Sequence, residues 1–379
     1  MKTDDLGGQT RHDMMADPDH DSYSRERFVQ EYVWQINGNY HQGNYALYDT
    51  KLKPRDGSDM SVQEQRKKVL AEPYGQMWSS LRRVAREWTC EAVGPTVERQ
   101  LDDLIGKARQ YRQSNRKLGS LMLDPSVKVP GYVDVDIHLK PGGYHTELTE
   151  DDVFAGAEYE RTTYMNTNGL LGPRMDKLGK QVADWVKVTY PKMKPKRILE
   201  MGCTIGQSTI AWKEAFPDAE VYGIDVAAPS LRYAHARAEA LGRGIEFSQQ
   251  DATKTNFPDG FFDIVASHAM IHETSRSALR GIFAESHRIL KPGGLMLHND
   301  GTPFRDMKHP IDRLIPDWDT HYNAEPFITQ MRSMDLAEFA VEAGWPKGST
   351  SNSYAEEAIG AAAARTVSGG ACYMVVGRR

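Results

Sequence analysis

The chain has 379 residues and a mass of 42.7 kDa, enough for two domains or one elaborated domain. Its net charge of −5 and pI of about 6.2 give no electrostatic attraction to nucleic acid, and no apolar run reaches the ~18–20 residues of a membrane span. Three scattered cysteines (Cys90, Cys203, Cys372) suit neither a disulfide framework nor a zinc site, and the polar opening lacks a signal-peptide core, so a reducing cytoplasm is expected.

Residues 1–22 are polar and rich in Asp and His, which predicts a disordered tail. Residues 23–155 read as a mainly helical extension. Met77, Trp78, Leu81, Val84, Ala85 and Trp88 fall on one helical stripe, which must be buried against the rest of the chain or in a homodimer. The aromatic and amide-rich stretch 37–48 reads as a loop whose Tyr40 could pack on an organic ligand. Residues 121–144 are Pro/Gly-punctuated, and the alternation over 132–138 predicts a strand.

Residues 156–379 change character. Ile198 and Leu199 begin a short apolar strand that runs into a turn with Gly202 and Gly206, and a helix is predicted over 210–216. A second strand, 221–225, ends on Asp225. Glycines let the backbone approach a ligand closely, and an acid about 20 residues further on is placed to accept hydrogen bonds from ribose hydroxyls. A third strand leads to Asp251-Ala252, and a fourth ends at Ser267-His268. A helix is predicted over 275–290, a turn over 291–294 and a fifth strand over 295–298. A Pro/Asp-rich insertion, a helix over 331–343 and a last strand over 371–377 complete the chain. No third glycine follows at dinucleotide spacing, which disfavours a nicotinamide oxidoreductase.

With these five strand-and-turn signals in place, residues 178–379 resemble the class I S-adenosylmethionine-dependent methyltransferases of the small-molecule type. That family's first motif is acid-x-Gly-x-Gly-x-Gly. Glu200, Gly202 and Gly206 match it, and Thr204 stands where the middle glycine is usual. The resemblance implies an α/β fold with a doubly wound, seven-stranded, mostly parallel sheet closed by an antiparallel hairpin. It implies S-adenosylmethionine as cofactor, contacted by Glu200, Gly202, Cys203, Thr204, Gly206, Ser208, Asp225, Val226, Asp251, Ala252, Ser267 and His268. It also implies that the segment before the core folds over cofactor and acceptor, which brings in Tyr164 and Asn166.

Methyl transfer to a hydroxyl needs a base, and imidazole titrates in the right range. His268 and His272, four residues apart, would share one face of a helical turn after the fourth strand, with His272 the candidate base. His298 and Asp300 are candidates for orienting the acceptor. Although Glu273 adds a carboxylate, the strand ends offer mostly imidazoles, so no metal is expected. The strand-four Asn/Asp-Pro-Pro-Tyr signature of base-amine methylation is absent, and Ser267-His-Ala-Met270 stands there instead. A small-molecule acceptor is therefore expected, capped by the N-terminal extension. The alternatives are a protein that binds S-adenosylmethionine without transfer, and a methyltransferase of protein or nucleic acid.

Overall fold

The computed structural model describes residues 5–360 and 372–379. A hairpin, β1 (Asp5–Leu6) and β2 (Gln9–Thr10), precedes α1 (His20–Gln35), α2 (His41–Leu47), α3 (Val62–Leu70), the long α4 (Pro73–Glu98) and α5 (Leu101–Gln113). A short strand β3 (Ser120–Met122), an irregular crossing and α6 (Phe154–Asn166) and α7 (Lys177–Thr189) follow. Strands and helices then alternate: β4 (Arg197–Met201), α8 (Gln207–Ala215), β5 (Glu220–Asp225), α9 (Ala228–Ala240), β6 (Glu246–Gln249), β7 (Phe262–His268), α10 (Arg276–Ile289) and β8 (Leu290–Asp300). The chain closes through α11 (Leu314–Tyr322), α12 (Ile328–Arg332), α13 (Leu336–Glu342), β9 (Thr350–Tyr354), α14 (Glu356–Ile359) and β10 (Tyr373–Arg378).

The central sheet runs β3-β6-β5-β4-β7-β8-β10-β9, with β10 antiparallel to both neighbours and the other pairings parallel. Ile198, Leu199, Ile264 and Val265 in its middle are fully buried, as expected of strands covered on both faces. The sheet has eight strands, where seven were expected. The eighth, β3, belongs to the extension and pairs Ser120 with Glu246 and Leu121 with Phe247. Glu239 steers it into place by accepting the N–H of Leu118 (2.8 Å) and of Gly119 (2.7 Å). A Cβ on Gly119 would lie 2.2 Å from the carbonyl oxygen of Ile245, so only glycine lets the two backbones meet. Three residues are too few to show a period of two, which is why the strand was not legible in advance.

Several other expectations are corrected. The first four residues lie outside the described residues, but the tail predicted to be disordered forms a hairpin from Asp5 and is packed against the rest of the chain from Gln9 onward. Met14 is fully buried, His12 Nε2 lies 3.1 Å from both oxygens of Glu160, and Asp19 caps α1 by accepting the N–H of Ser22 at 2.7 Å. Stretch 37–48 is helical, entered by a wide turn over Ile36–Tyr40. The alternation over 132–138 yields no strand: the chain turns at Ile137–Leu139, with His138 and Leu139 at φ 55° and 60°. The helix predicted over 331–343 is broken at Asp335, whose side chain accepts the N–H of Ala337 and of Glu338 and so starts α13 afresh. The last strand begins at Tyr373, and residue 371 lies outside the described residues.

The extension shares its core with the sheet domain. Val29, Val33, Ala92, Val93, Leu104 and Ile105 cluster with Tyr164, Met165, Ile205, Tyr233 and Ala236 across the expected boundary near 155. The predicted stripe on α4 is only partly buried. Trp78 and Ala85 are inside, whereas Met77 and Trp88 stay exposed and Arg82 takes an inner position. Arg82 is tolerated there because Asp319 of α11 accepts from its Nη2 at 2.9 and 3.1 Å, while Trp318 lies 4.8 Å from the guanidinium. Removing one partner strands the other charge, so Asp319→Leu is expected to cost about 3–5 kcal/mol of stability, read by denaturant unfolding. A loss under 1 kcal/mol would mean that the pair is not buried in solution.

Candidate functional site

The loop between β4 and α8 leaves extended geometry three times within five residues: Gly202, Thr204 and Gly206 have φ of 64°, 48° and 71°. The chain therefore folds into a tight cradle at the carboxyl edge of the sheet, and α8 begins behind Gly206 with no side-chain cap on its free N–H groups. Asp225, at the tip of β5, accepts from Thr204 N at 2.9 Å and from Ala227 N at 3.0 Å. Burial raises its carboxyl above the usual range against those two hydrogen bonds. A carboxylate has about four acceptor sites, so capacity remains for ribose hydroxyls. Thr204 thus substitutes for the usual glycine, in a left-handed conformation that Asp225 holds.

The remaining predicted contacts have distinct placements. Val226 receives Gln249 Nε2 on its carbonyl at 3.0 Å, Asp251 accepts from Thr253 N at 2.8 Å, and Ala252 is partly buried beside the main core. Cys203 is packed in an apolar cluster with Phe247, where burial pushes its thiol far up and leaves it inert. The backbone of Ser208 packs against α7, where a Cβ on Gly179 would lie 2.7 Å from its carbonyl oxygen. Ser267 is fully buried with its hydroxyl 2.8 Å from His298 Nδ1.

Glu200 and His268 form one buried pair between β4 and β7. His268 Nδ1 lies 2.9 Å from Glu200 Oε1, and the other carboxylate oxygen takes the Thr209 hydroxyl. The Nε2 of His268 is buried with no hydrogen-bond partner among the described residues. The helical face that His268 and His272 were expected to share does not form. Strand β7 continues through His268, the chain reverses at Ala269 (φ 53°), and His272 lies in a separate short turn over Ile271–Glu273. His272 instead pairs with Asp300 at the end of β8, Nδ1 to Oδ1 2.8 Å, and its backbone N–H donates to Oδ2 at 3.1 Å. Burial lowers the imidazole pKa, but the Asp300 charge and hydrogen bond outweigh it and raise it to about 9.

Three candidates for the acceptor site are built into the framework. His298 is fully buried between the hydroxyls of Ser267 and Ser286, and burial lowers its pKa to about 3, so it stays neutral inside the core. Tyr164 is buried and donates to the carbonyl of Gly7 at 3.0 Å, and Asn166 accepts from Thr89 on α4 at 3.1 Å. Both side chains tie α6 to the extension. Tyr40 is exposed, and its carbonyl takes the hydroxyl of Tyr74 at 2.6 Å. Its neighbours Tyr45 and Tyr48 pack on His309, within the insertion after β8, tilted at 4.8 Å and edge-on at 5.5 Å between ring centres.

The irregular crossing between β3 and α6 supplies residues that the sequence did not single out. Burial, then the charges of Asp251 and Asp225, push the Tyr132 phenol up to about 12. Further along, His138 Nδ1 lies 3.0 Å from Glu325, its Nε2 lies 3.4 Å from Glu273, and the Tyr144 hydroxyl donates to Glu273 at 3.1 Å. Burial lowers the His138 pKa, but the two carboxylates outweigh it and raise it to about 10. Glu325 also lies 3.9 Å from His272 Nε2, so crossing, insertion and strand ends meet at one polar cluster. No three His, Cys, Asp or Glu side chains among the described residues are grouped to hold a metal ion.

A family model described as a methyltransferase domain matches residues 198–294, which hold the glycine turn, Asp225 and the β7 edge. This segment is a class I S-adenosylmethionine-dependent methyltransferase domain. A demethylmenaquinone methyltransferase of Thermus thermophilus is 37% identical over 103 residues, 27% of this chain and 46% of that protein. A fatty-acid O-methyltransferase of Mycolicibacterium smegmatis is 29% identical over 208 residues, 54% of this chain and 70% of that protein. An uncharacterised protein of Haemophilus influenzae is 33% identical over 124 residues, 32% of this chain and 49% of that protein. The chain thus spans about half the length of the Thermus and Haemophilus relatives. The solved structure of a methyltransferase from Aquifex aeolicus aligns at a TM-score of 0.37 and 19% identity, covering 56% of this chain and 96% of that one. The cofactor of the methyltransferase domain is S-adenosylmethionine. No described helix is long and apolar enough to cross a membrane.

Proposed function

We propose that the chain methylates a small-molecule acceptor held between the N-terminal extension and the carboxyl edge of the sheet. The observation that carries this reading is one shared ceiling: the crossing reaches the strand tips through Asp124, whose N–H donates to Gln249 at 3.2 Å, and reaches Glu273 through His138 and Tyr144. The Thermus and Mycolicibacterium relatives, whose names give a quinone and a fatty acid as substrates, support a small acceptor. S-adenosylmethionine supplies a methyl group on a sulfonium, open to in-line attack.

In this reading Asp225 holds the ribose hydroxyls with the acceptor sites that Thr204 and Ala227 leave free. Gly202 lets the cradle turn at φ 64° where a Cβ would strike Met270, and Tyr132 covers the nucleoside end and excludes water. His272 receives the acceptor's proton on Nε2, while Asp300 holds the Nδ1 proton and fixes the ring. His268, held by Glu200, is a wall and positioning residue.

Asp225→Ala is expected to raise the dissociation constant for S-adenosylmethionine at least tenfold, about 1.4 kcal/mol for a lost charge-assisted hydrogen bond. Calorimetric titration reads it directly. Unchanged affinity in a folded variant removes Asp225 from the cofactor site. Formation of S-adenosylhomocysteine with a metabolite pool separates methyl transfer from simple cofactor binding.

A further inference from the structure

Most charges in the polar cluster beneath the crossing are matched. Asp300 pairs with His272, Glu325 and Glu273 with His138, and Asp319 with Arg82. Two arginines in the same place are not. Arg86, one turn after Arg82 on α4, is partly buried and makes no hydrogen bond and no ion pair among the described residues. Arg332, at the end of α12, donates only to the carbonyl of Thr302 at 2.9 Å, and its Nε is buried without a partner. Both guanidinium groups feel the charges of Asp319 and Glu325, and Arg332 also feels that of Asp300. Geometry places both at the cluster from opposite elements: the Arg332 guanidinium packs against Gly301, next to Asp300, and α12 packs on the turn that carries His272, while α4 packs on the turn that carries His138.

An arginine enclosed by protein without a carboxylate partner is costly, because burial disfavours its charge and leaves five N–H donors to satisfy. Burial lowers the pKa of both arginines. His272 and His138, with pKa values raised to about 9 and about 10, and Arg82 leave one of the four carboxylates Asp300, Glu273, Glu325 and Asp319 unmatched at neutral pH, so with Arg86 and Arg332 the cluster keeps a net positive charge. Planar guanidinium groups match the geometry of carboxylate and phosphate oxygens.

We infer that the methyl acceptor carries a carboxylate or phosphate group, and that Arg86 and Arg332 hold this anion beside His272. The inference rests on the methyl-transfer reading and names its substrate class. It also gives the extension a defined task, since α4 supplies one half of the clamp.

The test uses the full chain saturated with S-adenosylhomocysteine, titrated at constant ionic strength with benzoate, phenyl phosphate and uncharged benzamide. At least one of the two anions is expected to bind and benzamide to bind at least tenfold more weakly; which anion binds tells carboxylate from phosphate. Arg86→Met is expected to weaken the preferred anion at least tenfold and to leave S-adenosylhomocysteine affinity within twofold. Arg86→Lys should fall between the two. Arg332→Met, on a different element, carries the same expectation if Arg86→Met does not fold. Equal binding of the anions and benzamide, or unchanged anion affinity in the folded arginine variants, overturns the inference. Failure of the wild type to bind S-adenosylhomocysteine strikes the methyl-transfer reading instead, and the anion titrations, run without it, still report on the arginines.

Discussion

Replacing Gly202 by valine is expected to abolish measurable binding of S-adenosylhomocysteine while the sheet stays folded. Gly202 has φ 64°, a region that β-branched residues adopt only with strain of about 1–3 kcal/mol. Its position allows no side chain either, since an added Cβ would lie 2.6 Å from Cγ and Sδ of Met270. Met270 is flexible and could move aside, but only by shifting the segment that joins His268 to His272. Both effects fall on the cradle rather than on the buried strands Ile198–Leu199 and Ile264–Val265. An affinity loss of at least hundredfold, about 2.7 kcal/mol, is therefore expected. Gly202→Ala should lie between, because it adds one atom and less backbone strain. Calorimetry read beside far-UV circular dichroism checks the result; near-native binding by a folded valine variant would place the cofactor elsewhere.

The second large effect concerns His272. His272→Asn keeps a side chain that can bond Asp300 but has no basic nitrogen at the Nε2 position. If Nε2 takes the acceptor's proton, kcat should fall by about 10²–10⁴, with little change in S-adenosylhomocysteine affinity. The pH dependence carries a defined sign. With a pKa of about 9, the imidazole is mostly protonated at pH 7, so wild-type kcat/KM should rise with pH up to about 9, and the variant should lose this limb. Stability runs the opposite way. The folded pKa is raised from 6.5, so the pair stabilises fully below about 6.5 and its contribution is lost as pH rises through about 9. Asp300→Asn should lower the apparent pKa, because it removes the charge that holds the proton. A pH profile identical in wild type and His272→Asn excludes His272 as the base.

The cradle was legible because its chemistry is local. A short apolar run, a turn of glycines and an acid one strand later all lie within residues 198–225, and the hydrogen bond from Thr204 to Asp225 spans only that interval. The same locality explains Ser275, read as the helix start and found capping α10. The polar cluster was legible only in part: His272 and Asp300 follow the fourth and fifth predicted strands and were candidates from the sequence, whereas Arg86, His138 and Glu325 come from α4, the crossing and the insertion, and nothing in their spacing announces that they join that pair. Tyr164 and Asn166 show the converse. Polar residues just before the core suggest a lid, but their orientation on α6 directs them to Gly7 and Thr89.

By itself the sequence determined the alternation of buried strands and helices and the cradle with its strand-tip acids. Those features follow from periodicity, glycine stereochemistry and contacts close along the chain. The tertiary structure alone decided that β3 extends the sheet to eight strands, that the extension shares a core with α6 and α9, and that His272 is held most closely by Asp300, at 2.8 Å against 3.8 Å for its sequence neighbour Glu273. Each of these depends on which faces meet after folding: burial strips water from the groups brought together, so partners distant in sequence set which charges are matched and which are left for a ligand.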